Sequence, residues 1–194
     1  MDFEMHKKQT LDKLYLPDRS KKGNVDMKLE KLINLVNENE DYYTTSSCSG
    51  RISLFTDHDS NIKADADWLY VTHEQADVNV ILNVLSKELP NSITWLRQEG
   101  FIFHVAAKDL DSANKFLQFT QSNGFKKSTI LGASKRFIVE VVSTQRIDSP
   151  IAKEGKLLVN EKYIRFLVTL ANGKLAKTHE QITRLEEAWE KEFS

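Results

Sequence analysis

Tyr42-Tyr43-Thr44-Thr45-Ser46-Ser47-Cys48-Ser49-Gly50-Arg51-Ile52-Ser53-Leu54-Phe55 carries strand-forming residues at both ends and hydroxyls, a thiol, a glycine and an arginine between them. Small side chains around Gly50 leave backbone open to a ligand. Hydroxyls, amide N–H groups and a guanidinium together suit an anion such as a carboxylate or a phosphate. A Ser/Gly-rich hairpin turn holding a half-buried cysteine would use the same residue types. Both readings stand at this point, and the rest of the chain has to choose between them.

Upstream, Phe3, Leu11 and Leu14 share one side of a helix that Pro17 stops. Asp26 caps a second helix whose stripe is Leu29, Leu32, Ile33 and Val36, and Lys22 and Gly23 lie just before its N-terminus, where a lysine meets either phosphate or solvent. Downstream, Asp57-His58-Asp59 reads as turn chemistry, with no second His or Cys at metal-ligand spacing. Alternation from Trp68 to His73 puts Trp68, Tyr70 and Thr72 on one face and Leu69, Val71 and His73 on the other. Val80, Ile81, Val84 and Leu85 form the core side of a helix ended by Pro90. In Phe101 to Val105, His104 and Ile102 oppose the two phenylalanines and Val105.

Asp109 caps a helix bearing Leu110, Ala113, Phe116, Leu117 and Thr120, closed by Gly124. From Lys115 to Arg136 the chain holds Lys115, Lys126, Lys127, Lys135 and Arg136 and no acid, either a phosphate track or a solvated face. Phe137, Val139 and Val141 alternate with Ile138, Glu140 and Val142, a strand apolar enough to sit inside the sheet. A last periodic segment from Glu161 to Trp189 is expected to break into two helices at Asn172-Gly173. Strands interleaved with helices predict an α+β fold, a single compact domain over residues 1–194 with a mixed β-sheet covered by helices.

Composition narrows the function. The 194 residues hold 27 basic and 28 acidic side chains, a formal charge of −1, so any nucleic-acid surface is local. One cysteine excludes an internal disulfide and fits a reducing, cytoplasmic setting, and the charged first residues do not read as a signal peptide. No run of about 18 apolar residues predicts a membrane span. No two glycines are one residue apart, so a G-x-G-x-x-G loop and a Rossmann methyltransferase fold are disfavoured. Walker A, zinc-ligand and G-x-S-x-G patterns are missing too.

Ser46-Ser47-Cys48-Ser49-Gly50-Arg51 resembles the signature of the tRNA wybutosine-synthesizing protein 3 family. The resemblance continues through Lys22-Gly23-Asn24-Val25-Asp26, Trp68 to His73, Phe103-His104-Val105, Gly124-Phe125, Ser143-Thr144, and Gly155 to Val159 with Tyr163. Thr44 and Thr129 depart from it, standing where the family often has serine and glycine. The resemblance implies a methyltransferase that uses S-adenosyl-L-methionine to methylate N4 of the tricyclic wyosine precursor at position 37 of tRNA(Phe), with no metal and no membrane partner. Carried onto this chain, it implies His73 as the catalytic or acceptor-positioning group and Ser46, Ser47, Gly50 and Arg51 as cofactor contacts. Lys22, Trp68, His104, Lys126, Lys127 and Ser128 become substrate contacts. Two other classes fit the same residues: a non-catalytic RNA-binding module, and an enzyme with Cys48 as nucleophile and a nearby histidine as base.

Overall fold

A computed structural model describes residues 3–14, 26–57, 67–132 and 136–193. Contacts divide the described chain into two units, one drawn from residues 1–49, 101–144 and 179–194, the other from residues 50–100 and 145–178. The chain therefore passes between the units within the Ser49-Gly50 step of the polar motif.

The first unit is built on helix α1 (Phe3–Leu14), helix α2 (Glu30–Glu38), strand β1 (Tyr42–Cys48), strand β5 (Ile102–Ala107), helix α4 (Leu110–Ser122), strand β6 (Thr129–Gly132) and strand β7 (Phe137–Val142). Its sheet runs β1-β5-β7-β6, antiparallel throughout. Alternation works as read: Phe103 and Val105 are buried with Val139 and Val141, while Ile102, His104 and Glu140 take the other face. Leu32, Ile33 and Val36 of α2, Phe116 of α4, and Leu185 and Trp189 close the apolar side. Asp26 caps the turn Met27–Leu29 that opens α2, and Asp109 caps α4 by accepting from the Ser112 N–H at 2.8 Å. Asn37 ties α2 to β1 twice, giving its Nδ2 to Thr44 Oγ1 at 3.1 Å and accepting the Thr44 N–H at 2.8 Å.

The second unit holds strand β2 (Arg51–Asp57), strand β3 (Asp67–Thr72), helix α3 (Val78–Leu85), strand β4 (Ile93–Glu99), strand β8 (Ile147–Lys153) and strand β9 (Lys156–Leu157). These five strands form a second antiparallel sheet, β3-β2-β4-β8-β9. Ile52, Leu54, Leu96 and Ile151 of the sheet pack with Ile81 and Leu85 of α3 and with Ile164, Val168 and Leu175 of helix α5 (Glu161–Glu192).

The α+β class stands, without a doubly wound parallel sheet, but the single mixed sheet is replaced by two antiparallel ones. Periodicity locates strands and is silent about partners, and β1 and β2, neighbours in sequence, pair into different sheets. That also removes the hairpin reading of the motif, because Gly50 at φ +97° ends one strand pairing and begins another. The final helix is not broken: Gly173 costs about 1 kcal/mol in a helix, too little to split one held on both sides. Asn172 is used instead by its side chain, which accepts the Ala76 N–H at 2.8 Å and donates to the Ala76 carbonyl at 3.0 Å. Strand β8 has no apolar alternation to announce it and contains Pro150, tolerated opposite Trp95 where the ladder register shifts. Val80, read as core, is exposed. The Asp57-His58-Asp59 turn lies mostly outside the described residues.

Candidate active site

The site grows from one irregularity in β1. Tyr42, Tyr43 and Thr44 pair with Ala107, Ala106 and Val105, after which the register shifts and Ser46 opposes His104, leaving Thr45 as a bulge. Strict alternation would put Ser46 on the side of Thr44 and Tyr42, toward the apolar core. The extra residue moves it to the open face, as bulges beside functional sites do.

His104 in turn opposes Glu140, and Glu140 opposes Thr129, so four side chains make a row across all four strands of the first unit. Ser46 Oγ lies 2.6 Å from His104 Nδ1, and His104 Nε2 lies 2.9 Å from Glu140 Oε2. The carboxylate is an acceptor, so Nε2 carries the hydrogen, and Nδ1 accepts from the Ser46 hydroxyl in the neutral ring. A proton delivered to Ser46 can pass to Nδ1, and the imidazolium formed faces a carboxylate. Cys48 shares this face, opposite Ile102, whereas Ser47 stands opposite Phe103 on the core side. Ser49 is fully buried, and Asp26 accepts from both its N–H, at 3.3 Å, and its hydroxyl.

Lys126 and Lys127 are exposed in the turn between α4 and β6, three and two residues before Thr129. Ser128 is buried, gives its hydroxyl to the Phe125 carbonyl at 2.7 Å, and has its own carbonyl held by Gln121 at 3.1 Å. Its hydrogen bonds close that turn. Lys22 lies outside the described residues.

The remaining candidates belong to the second unit. The Gly50 carbonyl accepts from His73 Nδ1 at 3.0 Å, so Nε2 holds the lone pair of the neutral ring. A side chain on Gly50 would bring its Cβ to 2.8 Å from the Glu99 carbonyl, which together with the positive φ explains the glycine. Arg51 Nε donates to Glu99 across the β2–β4 ladder at 2.5 Å, and its guanidinium carbon stands 4.7 Å from the centre of the Trp68 ring. Arg51, Trp68 and Glu99 are thus one cluster, and His73 is anchored to the glycine beside it.

Sequence reasoning missed Glu140, Glu99 and the second role of Asp26. Glu140 had a signal, a lone charge in an apolar strand at the same alternation as His104; Glu99 and Asp26 had none, since their partners are 48 and 23 residues away. Among the described residues no group of three or more His, Cys, Asp and Glu could hold a metal ion. No described helix is long and apolar enough to cross a membrane.

A family model described as methyltransferase TYW3 matches residues 5–191. The chain belongs to the TYW3 methyltransferase family. Among its relatives, a Thermococcus sibiricus protein named tRNA(Phe) 7-((3-amino-3-carboxypropyl)-4-demethylwyosine(37)-N(4))-methyltransferase is 37% identical over 98% of this chain and 95% of its own. A Methanocaldococcus jannaschii protein of the same name is 36% identical over 95% of each chain. The fold is similar to that of the PH1069 protein from Pyrococcus horikoshii, which superposes with a TM-score of 0.88 at 35% identity, covering 97% of this chain and 96% of that one. A hypothetical protein from Aeropyrum pernix gives a TM-score of 0.72 at 26% identity over 85% of this chain and 98% of its own. The TYW3 resemblance of the short motif therefore extends over nearly the whole chain.

Proposed function

We propose that this protein is a tRNA methyltransferase that uses S-adenosyl-L-methionine to methylate N4 of the 7-(3-amino-3-carboxypropyl)-4-demethylwyosine base at position 37 of tRNA(Phe), in the cytoplasm. Membership of the TYW3 family and the printed names of its relatives support the reaction. The family match over residues 5–191 supports treating residues 1–194 as one functional domain.

The observation that carries the reading is the hydrogen-bonded row Ser46–His104–Glu140. Methylating a ring nitrogen that bears hydrogen forms a nitrogen–carbon bond and releases a proton, so the protein has to place the acceptor and take that proton. Ser46 Oγ accepts the N4 hydrogen while its own proton moves to His104 Nδ1, and Glu140 offsets the charge that appears on the ring. His73, pinned to the Gly50 carbonyl, acts as a positioning residue that keeps the motif backbone in place. Cys48 takes no covalent part.

Gly50 and Arg51 are the cofactor contacts in this reading, and Ser47, on the core side of β1, is not one of them. The donor set supports them: Arg51 and Glu99, 2.5 Å apart, offer a guanidinium and a carboxylate to the carboxylate and ammonium of a methionine moiety. The bound cofactor would supply a methyl carbon made electrophilic by its sulfonium. Lys126 and Lys127, exposed and next to β6, are the phosphate contacts.

The test is transfer of labelled methyl from S-adenosyl-L-methionine to tRNA(Phe) from cells lacking this activity. Label in N4 of the base at position 37 is expected. Cofactor and tRNA binding without transfer would reduce the protein to a binding module, and transfer abolished in Cys48→Ser but not in His104→Ala would move the chemistry to the thiol.

A further inference from the structure

The sheet of the second unit has one face packed against α3 and α5, and a second face on which Ser53 and Phe55 are buried while Trp68 and Val71 are exposed. Alternation and the ladders place Arg51, Ser53 and Phe55 of β2, Trp95, Arg97 and Glu99 of β4, Trp68 and Val71 of β3, and Asp148 of β8 on that second face. Its chemistry is unlike a solvated sheet surface, which is usually Lys, Glu and Thr. Trp68 is 47% and Val71 49% exposed at the edge of the sheet. The Arg97 guanidinium carbon stands 4.3 Å from the centre of the Phe55 ring, and Arg51 makes the matching stack on Trp68. Phe55 and Trp68 meet at 5.8 Å between ring centres, so the two stacks are continuous.

Arginine laid on aromatic rings, with planar groups held flat against a sheet, is the chemistry by which single-stranded nucleic acids are stacked base by base. We propose that this face, running from the exposed Trp68 through Arg97 to Trp95, stacks unpaired bases of RNA. It rests on the tRNA methyltransferase reading, which places the substrate base in a single-stranded loop, and it names a surface beyond the Ser46–His104–Glu140 row.

Two features argue for an RNA occupant. Among the described side chains of the face and the adjoining Arg146, three arginines meet two carboxylates, Glu99 and Asp148, an excess of positive charge in a chain whose net charge is negative. Asp148 is fully engaged by two of them: burial raises its carboxyl, but Arg146 and Arg97 outweigh this and hold it below the usual aspartate range. Each stacked base adds affinity without reading sequence, which suits a loop whose target base is itself altered before methylation.

The experiment compares a synthetic anticodon stem-loop with a fully paired duplex of the same stem, by fluorescence anisotropy, on the full chain and on Trp68→Ala, Arg97→Gln and Trp68→Phe. Stem-loop affinity is expected to fall at least tenfold in Trp68→Ala and Arg97→Gln and to stay within about threefold of wild type in Trp68→Phe, with duplex affinity unchanged. Melting curves of the same samples, and S-adenosyl-L-methionine titrations of Arg97→Gln, which lies outside the Arg51–Glu99 cluster, are expected to match wild type, separating stacking from folding and from cofactor binding. Unchanged stem-loop affinity in Trp68→Ala overturns the proposal, as does a loss confined to the cofactor, which would make the face a seat for adenine. If wild type methylates tRNA while every variant binds the stem-loop equally, the face fails and the enzyme reading stands. If wild type neither binds nor methylates tRNA, both fall.

Discussion

His104 stands directly opposite Glu140 in the β5–β7 ladder, with its Nε2 2.9 Å from the Glu140 carboxylate and its Nδ1 2.6 Å from the Ser46 hydroxyl. The pair fixes which ring nitrogen accepts a proton, and that determines where the reacting nitrogen has to lie. His104→Ala is expected to lower methyl transfer by about 10²-fold or more. Glu140→Gln should lose about 10- to 100-fold, the range for a hydrogen bond to a charged group. Added imidazole should restore part of the His104→Ala activity and none of the Glu140→Gln activity. Single-turnover rates with and without imidazole check this, and a rate within a few-fold of wild type in His104→Ala would return the row to a structural role.

His73 donates Nδ1–H to the Gly50 carbonyl. If holding that carbonyl is its role, His73→Ala lowers turnover by about 10²-fold while His73→Asn, which keeps a donor at similar reach, recovers most of it. Steady-state kinetics of the two variants decide the matter. An Asn variant as poor as the Ala variant would mean that the ring itself handles a proton.

Charge reversal at Lys126 and Lys127 should weaken tRNA binding and reduce the salt slope by roughly one unit per lysine, leaving cofactor affinity intact. Titrations at several salt concentrations measure it. An unaltered slope would class both lysines as solvent-facing charges only.

Gly50→Ala combines a left-handed backbone with a Cβ 2.8 Å from the Glu99 carbonyl. Backbone strain and overpacking together predict a loss of about 2 to 4 kcal/mol, read as a lower urea midpoint at unchanged slope. A Gly124→Ala control also carries a positive φ but meets nothing within 4 Å, so it should lose less.

Glu186 in α5 is 9% exposed, and burial pushes its carboxyl above the usual glutamate range against the pull of Lys31. A raised folded value means the charged form is penalised in the fold. The penalty is absent below the ordinary glutamate range, grows as pH rises through it, and is full at neutral pH. Glu186→Gln should therefore raise the denaturation midpoint at pH 7, with the advantage shrinking as pH falls toward the ordinary glutamate range and gone below about 4. Equal midpoints at pH 7 would show that the Lys31 attraction matches the cost of burial.

What the sequence determined by itself was local. Strand alternation in Phe101 to Val105 and Phe137 to Val142, the caps at Asp26 and Asp109, and the turn at Gly50 follow from side-chain size, branching and hydrogen-bonding at short range, and all are found in the structure. So is the motif, because its small polar residues are contiguous and its similarity to one family reaches across the chain. What only the tertiary structure decided was pairing. Nothing local in Tyr42 to Cys48 says that Thr45 bulges, since a bulge is a mismatch of lengths between two strands 60 residues apart, yet it turns Ser46 from the core side to His104. Glu140 was visible as an odd charge but not as the partner of a histidine 36 residues away. Asn172-Gly173 looked like a break because the local cost of glycine was legible, whereas the bonds from Asn172 to Ala76, 96 residues distant, were not. Periodicity records which side of an element is apolar; which element lies on the other side depends on long-range contacts that short-range preferences do not encode.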